Sequence, residues 1–416
     1  MQSLWGQVLC FFITGSGMES EMKPEAKNCE QQEELALLCR RIQKLDLPEL
    51  RQDLIAPEVR DISRKSFGEM LRRYLCHGAG DYLVLDVRSE SEYEKDAIPV
   101  AVSMPILNDR ERHEVGLLYK RHNHRTALRY AFYLAKEKEA LYVEKVRALG
   151  QGRPLVIYCW RGGGRSRYVA GLLERHGFSV LRLEGGHKGF RREVYQLLYH
   201  GDFTLWPLSG PTGCGKSQVL ELLAANFPHI PVLHLEAAAG HAASVFGHIR
   251  FAEKGKSTVV DQQAFEMRLY LFLLAHQRED GSFPAFVTEM ESRKIGPVQV
   301  PPALFRAMEK GPHIRLEASM EARVARLKRE YFGGAGRDVA AVRHALDFLT
   351  RRVGGHRVRQ WQALLDQGDV DSFLREILEE YYDKGYREER FLPAKVLCSD
   401  DILATTDVVA GLWKKT

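Results

Sequence analysis

Short apolar runs alternate with helical periodicity along most of the chain. Tyr82 to Leu85, Leu155 to Tyr158 and Val180 to Leu183 are apolar runs of strand length, and Val169 to His176 has the pattern of a helix closed by Gly177. Such alternation predicts an α/β domain with buried parallel strands. The pattern starts afresh at Asp202, with a strand over Phe203 to Leu208, a Gly-rich turn and a helix from Lys216 to Ala225, so a boundary is expected near residue 201. Residues 1–55 carry Leu35, Leu38, Ile42 and Leu45 at the spacing of one amphipathic helix, an N-terminal appendage. Its opening residues are expected to be a disordered extension, with Met18 an alternative start. From Arg315 to Arg359 the sequence turns helical and basic, through Arg323, Arg326, Lys328, Arg329, Arg337, Arg343, Arg351, Arg352, Arg357 and Arg359. The resulting division is 1–55, 56–201, 202–314 and a basic helical part over 315–416. No internal repeat of 20–50 residues is evident.

Composition narrows the class. The 416 residues are 45% hydrophobic, 28% charged and 10% aromatic, which suits a globular chain of two or three domains and excludes global disorder or a collagen-like fibre. The longest early apolar run, Val8 to Ile13, is far shorter than the roughly 20 residues of a spanning helix. The N-terminal stretch has no Lys or Arg before that run and makes a poor secretion or transit signal. A net charge of +5 permits a polyanionic partner without requiring one. Seven scattered cysteines with no C-x-x-C pair argue against a disulfide framework or a zinc site and fit a reducing, cytoplasmic setting.

Two strings carry chemistry. In PLVIYCWRGGGRSR, Cys159 ends an apolar strand and precedes a Gly-rich turn, with five residues between it and Arg165 and a helix opening at Arg165-Ser166. Backbone amides curled around the sulfur and a helix N-terminus favour thiolate over thiol, and the thiolate is the nucleophile. The same donors, Arg161, Gly162, Gly163, Gly164, Arg165 and Ser166, form a cradle for a tetrahedral oxyanion above the sulfur. Rhodanese-type sulfur or selenium transferases and cysteine phosphatases both use such a loop. Through VLDVRSESEY (Asp86, Arg88, Glu92), IPVAVSMP, YCWRGGGRS and LEGGHKGF, residues 56–200 resemble a rhodanese domain. Phosphatases usually have His before the Cys, where this chain has Tyr158.

The second string, GPTGCGKS, matches G-x-x-x-x-G-K-[ST] between a predicted strand and helix. Gly210, Gly213 and Gly215 let amides approach an anionic chain, Cys214 is a small spacer, Lys216 supplies a point charge and Ser217 is placed to ligate Mg²⁺. An NTPase also needs an acid ending a later strand, for which Asp261 and Glu289 are candidates. His234, His241 and His248 recur every seven residues, a spacing that suits ordinary histidines better than a metal set; no metal site is expected from them.

A rhodanese-like domain followed by a P-loop domain resembles the tRNA 2-selenouridine synthase family over residues 52–390. The marks are DLIAPEVRD, MPILNDRERHEVGLLYK, CWRGGGRS, GPTGCGKS, HLEAAAGHAASVFG, QQAFE and ESRKIGPVQVPPALFRAM, the last including Glu291 and Arg293. The resemblance implies a transferase acting on the wobble uridine of certain tRNAs. It would geranylate 2-thiouridine with geranyl diphosphate, then exchange the S-geranyl group for selenium from selenophosphate. On that view the Cys159 cradle takes selenophosphate, the P-loop anchors the diphosphate, and the basic stretch meets the tRNA backbone. Ala237, Ala242 and Ala243 replace a Gly, an Arg and a Gly of the family pattern, Lys384 a proline and Met290 an acid. Two rivals stand beside this one: a rhodanese-type sulfurtransferase coupled to an ATP-using P-loop domain, and an RNA-binding scaffold with degenerate sites.

Overall fold

The computed structural model describes residues 24–49, 58–78, 80–242, 244, 246–247, 260–333, 339–385 and 392–414. The opening extension, Arg337, Ala243 and His248 lie outside these residues. Two compact units divide the chain between Glu193 and Val194, ahead of the boundary expected near residue 201.

Unit one opens with α1 (Pro24–Ile42) and continues through β1 (Asp61–Ile62), α2 (Arg64–His77), β2 (Leu83–Asp86), α3 (Glu90–Lys95) and β3 (Ala101–Ser103). Helices α4 (Asp109–Arg121), α5 (His124–Lys136) and α6 (Glu139–Gly150) follow, then β4 (Leu155–Tyr158), α7 (Gly164–Arg175), β5 (Val180–Leu183) and α8 (Gly186–His200), within which the division falls. The strands form one parallel sheet in the order β1-β5-β4-β2-β3, so β4 is central. All four residues of β2 and of β4 are buried, as contiguous apolar runs require when helices cover both faces. Leu85, Ile157, Val169, Leu173 and Val180 are fully buried in its core. The amphipathic pattern in the N-terminal segment is satisfied locally, because Leu38 and Ile42 pack with Leu117, Leu118, Ala127 and Tyr130 of α4 and α5.

Unit two contains β6 (Leu205–Ser209), α9 (Lys216–Asn226), β7 (Val232–Leu233), α10 (Leu235–Ala239), α11 (Gln262–His276), β8 (Phe286–Glu289), a hairpin of β9 (Lys294–Ile295) and β10 (Val298–Gln299), α12 (Pro302–Lys310) and β11 (Ile314–Glu317). Helices α13 (Met320–Phe332), α14 (Val339–Asp347), α15 (Thr350–Val353), α16 (Gly355–Asp366) and α17 (Val370–Ile377) come next, the last running on through a π-helical turn over Leu378–Tyr382. Strand β12 (Lys395–Cys398) and α18 (Ile402–Trp413) close the unit. Its parallel sheet has the order β12-β11-β6-β8-β7, with β6 central.

The division drawn after residue 314 needs correction. Arg315 lies on β11, which pairs with β6 on one side and β12 on the other, so the sheet draws two strands from the part read as helical. The misreading has a physical source: β12 is a four-residue edge strand with no buried residue, and its apolar stretch, Val396 to Cys398, is too short to stand out. The helices between these strands do build their own core, around Trp361, Leu346, Phe373 and Ile377. Among the described residues no helix is long and apolar enough to cross a membrane.

Candidate active site

Cys159 follows the central strand β4 directly and is 4% exposed. Its Sγ lies 3.2 Å from the hydroxyl of Ser166, a buried residue in the first turn of α7. That hydroxyl also donates to the Gly163 carbonyl (3.3 Å), which ties the loop to the helix it enters. The first amides of any helix lack intrahelical acceptors, so the start of α7 presents donors beside the sulfur. The loop is tight enough to demand glycine at Gly186: a Cβ there would stand 2.2 Å from the Cys159 carbonyl oxygen, and its φ is +57°.

The cations of the loop divide by role. Arg165 is engaged in a two-pronged ion pair with Glu92, at 2.6 and 3.2 Å, while Arg161 is exposed. Burial pushes the Glu92 carboxyl up, but Arg165, the Ser89 amide and Arg112 together pull it down to about 2. A cation that the sequence reading passed over lies behind the loop: Arg182 of β5 donates to the Gly162 carbonyl (2.9 Å) and forks onto Asp61 at 2.8 Å. Hydrogen bonds to Asp61 raise its pKa, burial opposes this, and the Cys159 sulfur adds to the rise. An arginine inside an apolar strand, in VLRL, was the available signal. Asp86 and Arg88 do not face the loop opening. They form a buried pair, Arg88 Nη2 to Asp86 Oδ2 at 2.6 Å, and Arg88 also donates to the Asp96 carbonyl (2.5 Å). Tyr158 is buried, and its hydroxyl accepts the Ile98 amide at 3.2 Å. Behind Cys159, His187 is 1% exposed, and burial with the charges of Arg88 and Arg191 lowers it to about 3.

The phosphate loop follows β6, the central strand of the other sheet, and leads into α9. Gly210 has φ +140°, and a Cβ there would lie 2.3 Å from the Leu316 carbonyl, so this turn accepts no side chain. Gly213 and Gly215 also have positive φ, and Lys216 Nζ donates to the Gly210 carbonyl at 2.8 Å. Cys214 is fully buried against this turn, consistent with a spacer.

Carboxylates gather beside the lysine. Glu289 ends β8, next to β6, is 2% exposed, and accepts the Glu236 amide at 2.7 Å. The Ser217 hydroxyl lies 3.4 Å from Glu236 Oε2. Enclosure, with Glu236 and Glu289 nearby, pushes the half-buried Glu291 carboxyl well above its ordinary range, and Lys216 partly offsets this. Of the two acids considered for a strand end, Glu289 occupies it, whereas Asp261 caps α11 by accepting the Ala264 amide at 2.8 Å. Glu236, missed as a functional residue, sits inside the HLEAAAG string. Arg293 is exposed and covers the Phe305 ring at 4.9 Å.

The basic stretch is not one open cationic face. Arg323 and Arg326 are buried, and both brace the phosphate loop: Arg323 Nε donates to the Thr212 carbonyl (2.8 Å) and Arg326 Nη1 to the Gly213 carbonyl (3.2 Å). Arg323 further forks onto Asp383, and Arg326 reaches the Ser399 and Asp400 carbonyls. Lys328, Arg343 and Arg357 pair with Asp371, Asp366 and Glu376. Arg351, Arg352 and Arg359 remain exposed on α15 and α16. His234 precedes α10 as its cap residue, and His241 packs against Gly296. Among the described residues no group of three or more His, Cys, Asp or Glu is arranged to hold a metal, and Cys39, Cys76, Cys159, Cys214 and Cys398 are free thiols.

Comparison with known proteins joins the two loops in one family. A family model described as the tRNA 2-selenouridine synthase AAA domain matches residues 204–401, and one described as a rhodanese-like domain matches residues 71–193. A relative named tRNA 2-selenouridine synthase from Bordetella bronchiseptica is 32% identical over 367 residues, covering 80% of this chain and 95% of its own. One of the same name from Cupriavidus necator is 32% identical over 359 residues, covering 78% and 93%. Another, from Hydrogenovibrio crunogenus, is 30% identical over 354 residues, with the same coverage of 78% and 93%. With both loops in series and relatives matched nearly end to end, this chain belongs to the tRNA 2-selenouridine synthase family.

Proposed function

We propose that this chain converts 2-thiouridine at the wobble position of certain tRNAs to 2-selenouridine through an S-geranyl intermediate, with geranyl diphosphate and selenophosphate as co-substrates. The observation that carries the reading is the presence of two glycine-rich loops, one with Cys159 and one with Lys216, each after the central strand of its own parallel sheet. In such sheets ligands bind outside the carboxyl ends of the strands. Selenophosphate is a tetrahedral oxyanion suited to the amides of residues 161–166 above Cys159, and a diphosphate suits the amides of residues 212–216 with Lys216. In the first half-reaction the thiouridine sulfur bonds to C1 of the geranyl group while the C–O bond to diphosphate breaks. Lys216 and the loop amides stabilise the charge on the leaving diphosphate. In the second, the Cys159 thiolate attacks the phosphorus of selenophosphate and releases selenide; the selenide adds at C2 and expels the sulfur as geranyl thiol, and water hydrolyses the cysteine S-phosphate to free thiol and inorganic phosphate.

Mg²⁺ fits beside this loop at the Ser217 hydroxyl, with Glu236 and Glu289 behind it. It would neutralise diphosphate charge. The tRNA backbone is assigned to Arg351, Arg352 and Arg359. Nucleoside mass spectrometry tests the function: tRNA bearing 2-thiouridine, incubated with the full chain and both co-substrates, should yield 2-selenouridine, and with geranyl diphosphate alone it should yield the S-geranyl nucleoside. ATP-dependent sulfur transfer with neither product would favour the sulfurtransferase rival.

A further inference from the structure

Anion chemistry leaves one ring of the Cys159 loop without a task. Trp160 follows the cysteine and is 42% exposed. Its indole stacks on the His187 imidazole, with centroids 5.5 Å apart and planes inclined by 22°. Tyr158 continues the column beyond His187 at 6.1 Å and 26°, and the Arg88 guanidinium lies 5.6 Å from the Tyr158 ring. His187, Tyr158 and Arg88 are at most 1% exposed, so the column runs from the core and ends in an indole open to solvent. The backbone fixes that end: the His187 amide donates to the Cys159 carbonyl and the Lys188 amide to the Trp160 carbonyl, both at 2.9 Å.

Arg161 follows Trp160 in the chain, the Lys188 amide is bonded to the Trp160 carbonyl, and both cationic residues are exposed. An exposed aromatic ring on a backbone-anchored loop that also carries exposed cationic residues matches an unpaired nucleotide, whose base stacks on the ring while its phosphates meet the charges. We propose that Trp160 is the platform on which the reacting uracil stacks, and that Arg161 and Lys188 meet the phosphates flanking it. The identity of the base rests on the function proposed above. The two residues are consecutive, so a base stacked on residue 160 is held on the same loop that carries the thiol of residue 159.

The test titrates the full chain with a single-stranded heptanucleotide carrying central 2-thiouridine, reading intrinsic tryptophan fluorescence and the anisotropy of labelled RNA. Wild-type fluorescence should be quenched, and Trp160→Phe should abolish the quench while keeping RNA affinity within about 3-fold, since a π-face is retained. Trp160→Leu and Trp160→Ala should weaken RNA binding about 10-fold or more and raise the KM for tRNA. Alkylation of Cys159 by iodoacetamide reports whether the loop survives; if Ala disturbs it, the comparison of Phe with Leu decides. Equal RNA affinity for Phe and Leu, or quenching by geranyl diphosphate in place of RNA, overturns the platform. The two readings fail separately. An active enzyme indifferent to Trp160→Leu loses the platform alone, and Trp160-dependent RNA binding without selenouridine loses the function alone.

Discussion

Glu92 lies 73 positions before the arginine it holds, and its carboxyl has moved to about 2 from an ordinary 4.5. A carboxyl held low in the folded state contributes stability that is complete above its unfolded pKa and lost as pH falls through the folded one. This pair should therefore weaken between about pH 5 and pH 2, with as much as about 3 kcal/mol at stake before solvent screening. Glu92→Gln should lower neutral-pH stability and flatten the acid limb of a urea-denaturation series across that window; an unchanged acid limb would remove Glu92 from the account. Asp86 makes a harsher case. Asp86→Ala strands Arg88 in the core, and breaking a buried ion pair from one side costs about 3–5 kcal/mol, read as a lower urea midpoint. Sequence showed the positions of Cys159, Lys216 and Ser217 because their motifs are local. It did not show Glu92 as the partner of Arg165, or Asp61 as that of Arg182 across 121 residues, because such pairs exist only once the sheet has assembled.

Elements were legible in proportion to the unbroken apolar surface they bury. Strands Leu155–Tyr158 and Val180–Leu183 coincide with the runs that predicted them, since each is covered on both faces. The two-residue strands Asp61–Ile62 and Val232–Leu233 are too short for any period, and the edge β12 offers only the three apolar residues Val396 to Cys398, none of them buried. Helix α13 shows the opposite failure: its arginines are plain in sequence, yet their targets are carbonyls of the phosphate loop, 111 and 113 residues away. Arg326→Met should thus weaken diphosphate binding, measured by calorimetry, although Arg326 itself is buried and reaches the loop only through its carbonyls. The exposed set behaves differently. Replacing Arg351, Arg352 and Arg359 together by Gln should lower the slope of log K for tRNA against log salt by about 2, because each phosphate contact contributes about 0.7–0.9. Diphosphate affinity should be unaffected. A slope that stays constant would move the tRNA footprint elsewhere.

Each half of the molecule repeats one plan, five parallel strands with a glycine-rich loop leaving the third in order, yet one loop bears a thiol and the other a lysine. Strand order was not legible, because pairing partners such as β11 and β12 are separated by the whole helical insertion. The duplication of plan does make the half-reactions separable by substitution. On the proposed reading Lys216 stabilises leaving diphosphate and belongs to the other loop, so Lys216→Ala should block S-geranylation while leaving tRNA that already carries the S-geranyl group convertible to 2-selenouridine. Cys159→Ser keeps the phosphate loop and removes the sulfur, so S-geranyl tRNA should accumulate and stop there. Mixing the two variants with free tRNA should restore 2-selenouridine, since the product of one is the substrate of the other. Nucleoside mass spectrometry of the three reactions decides. If Cys159→Ser still completes the conversion, the sulfur has no part in selenium transfer; if Lys216→Ala blocks the second step as strongly as the first, the two loops serve one joint reaction and the proposed order of steps is wrong.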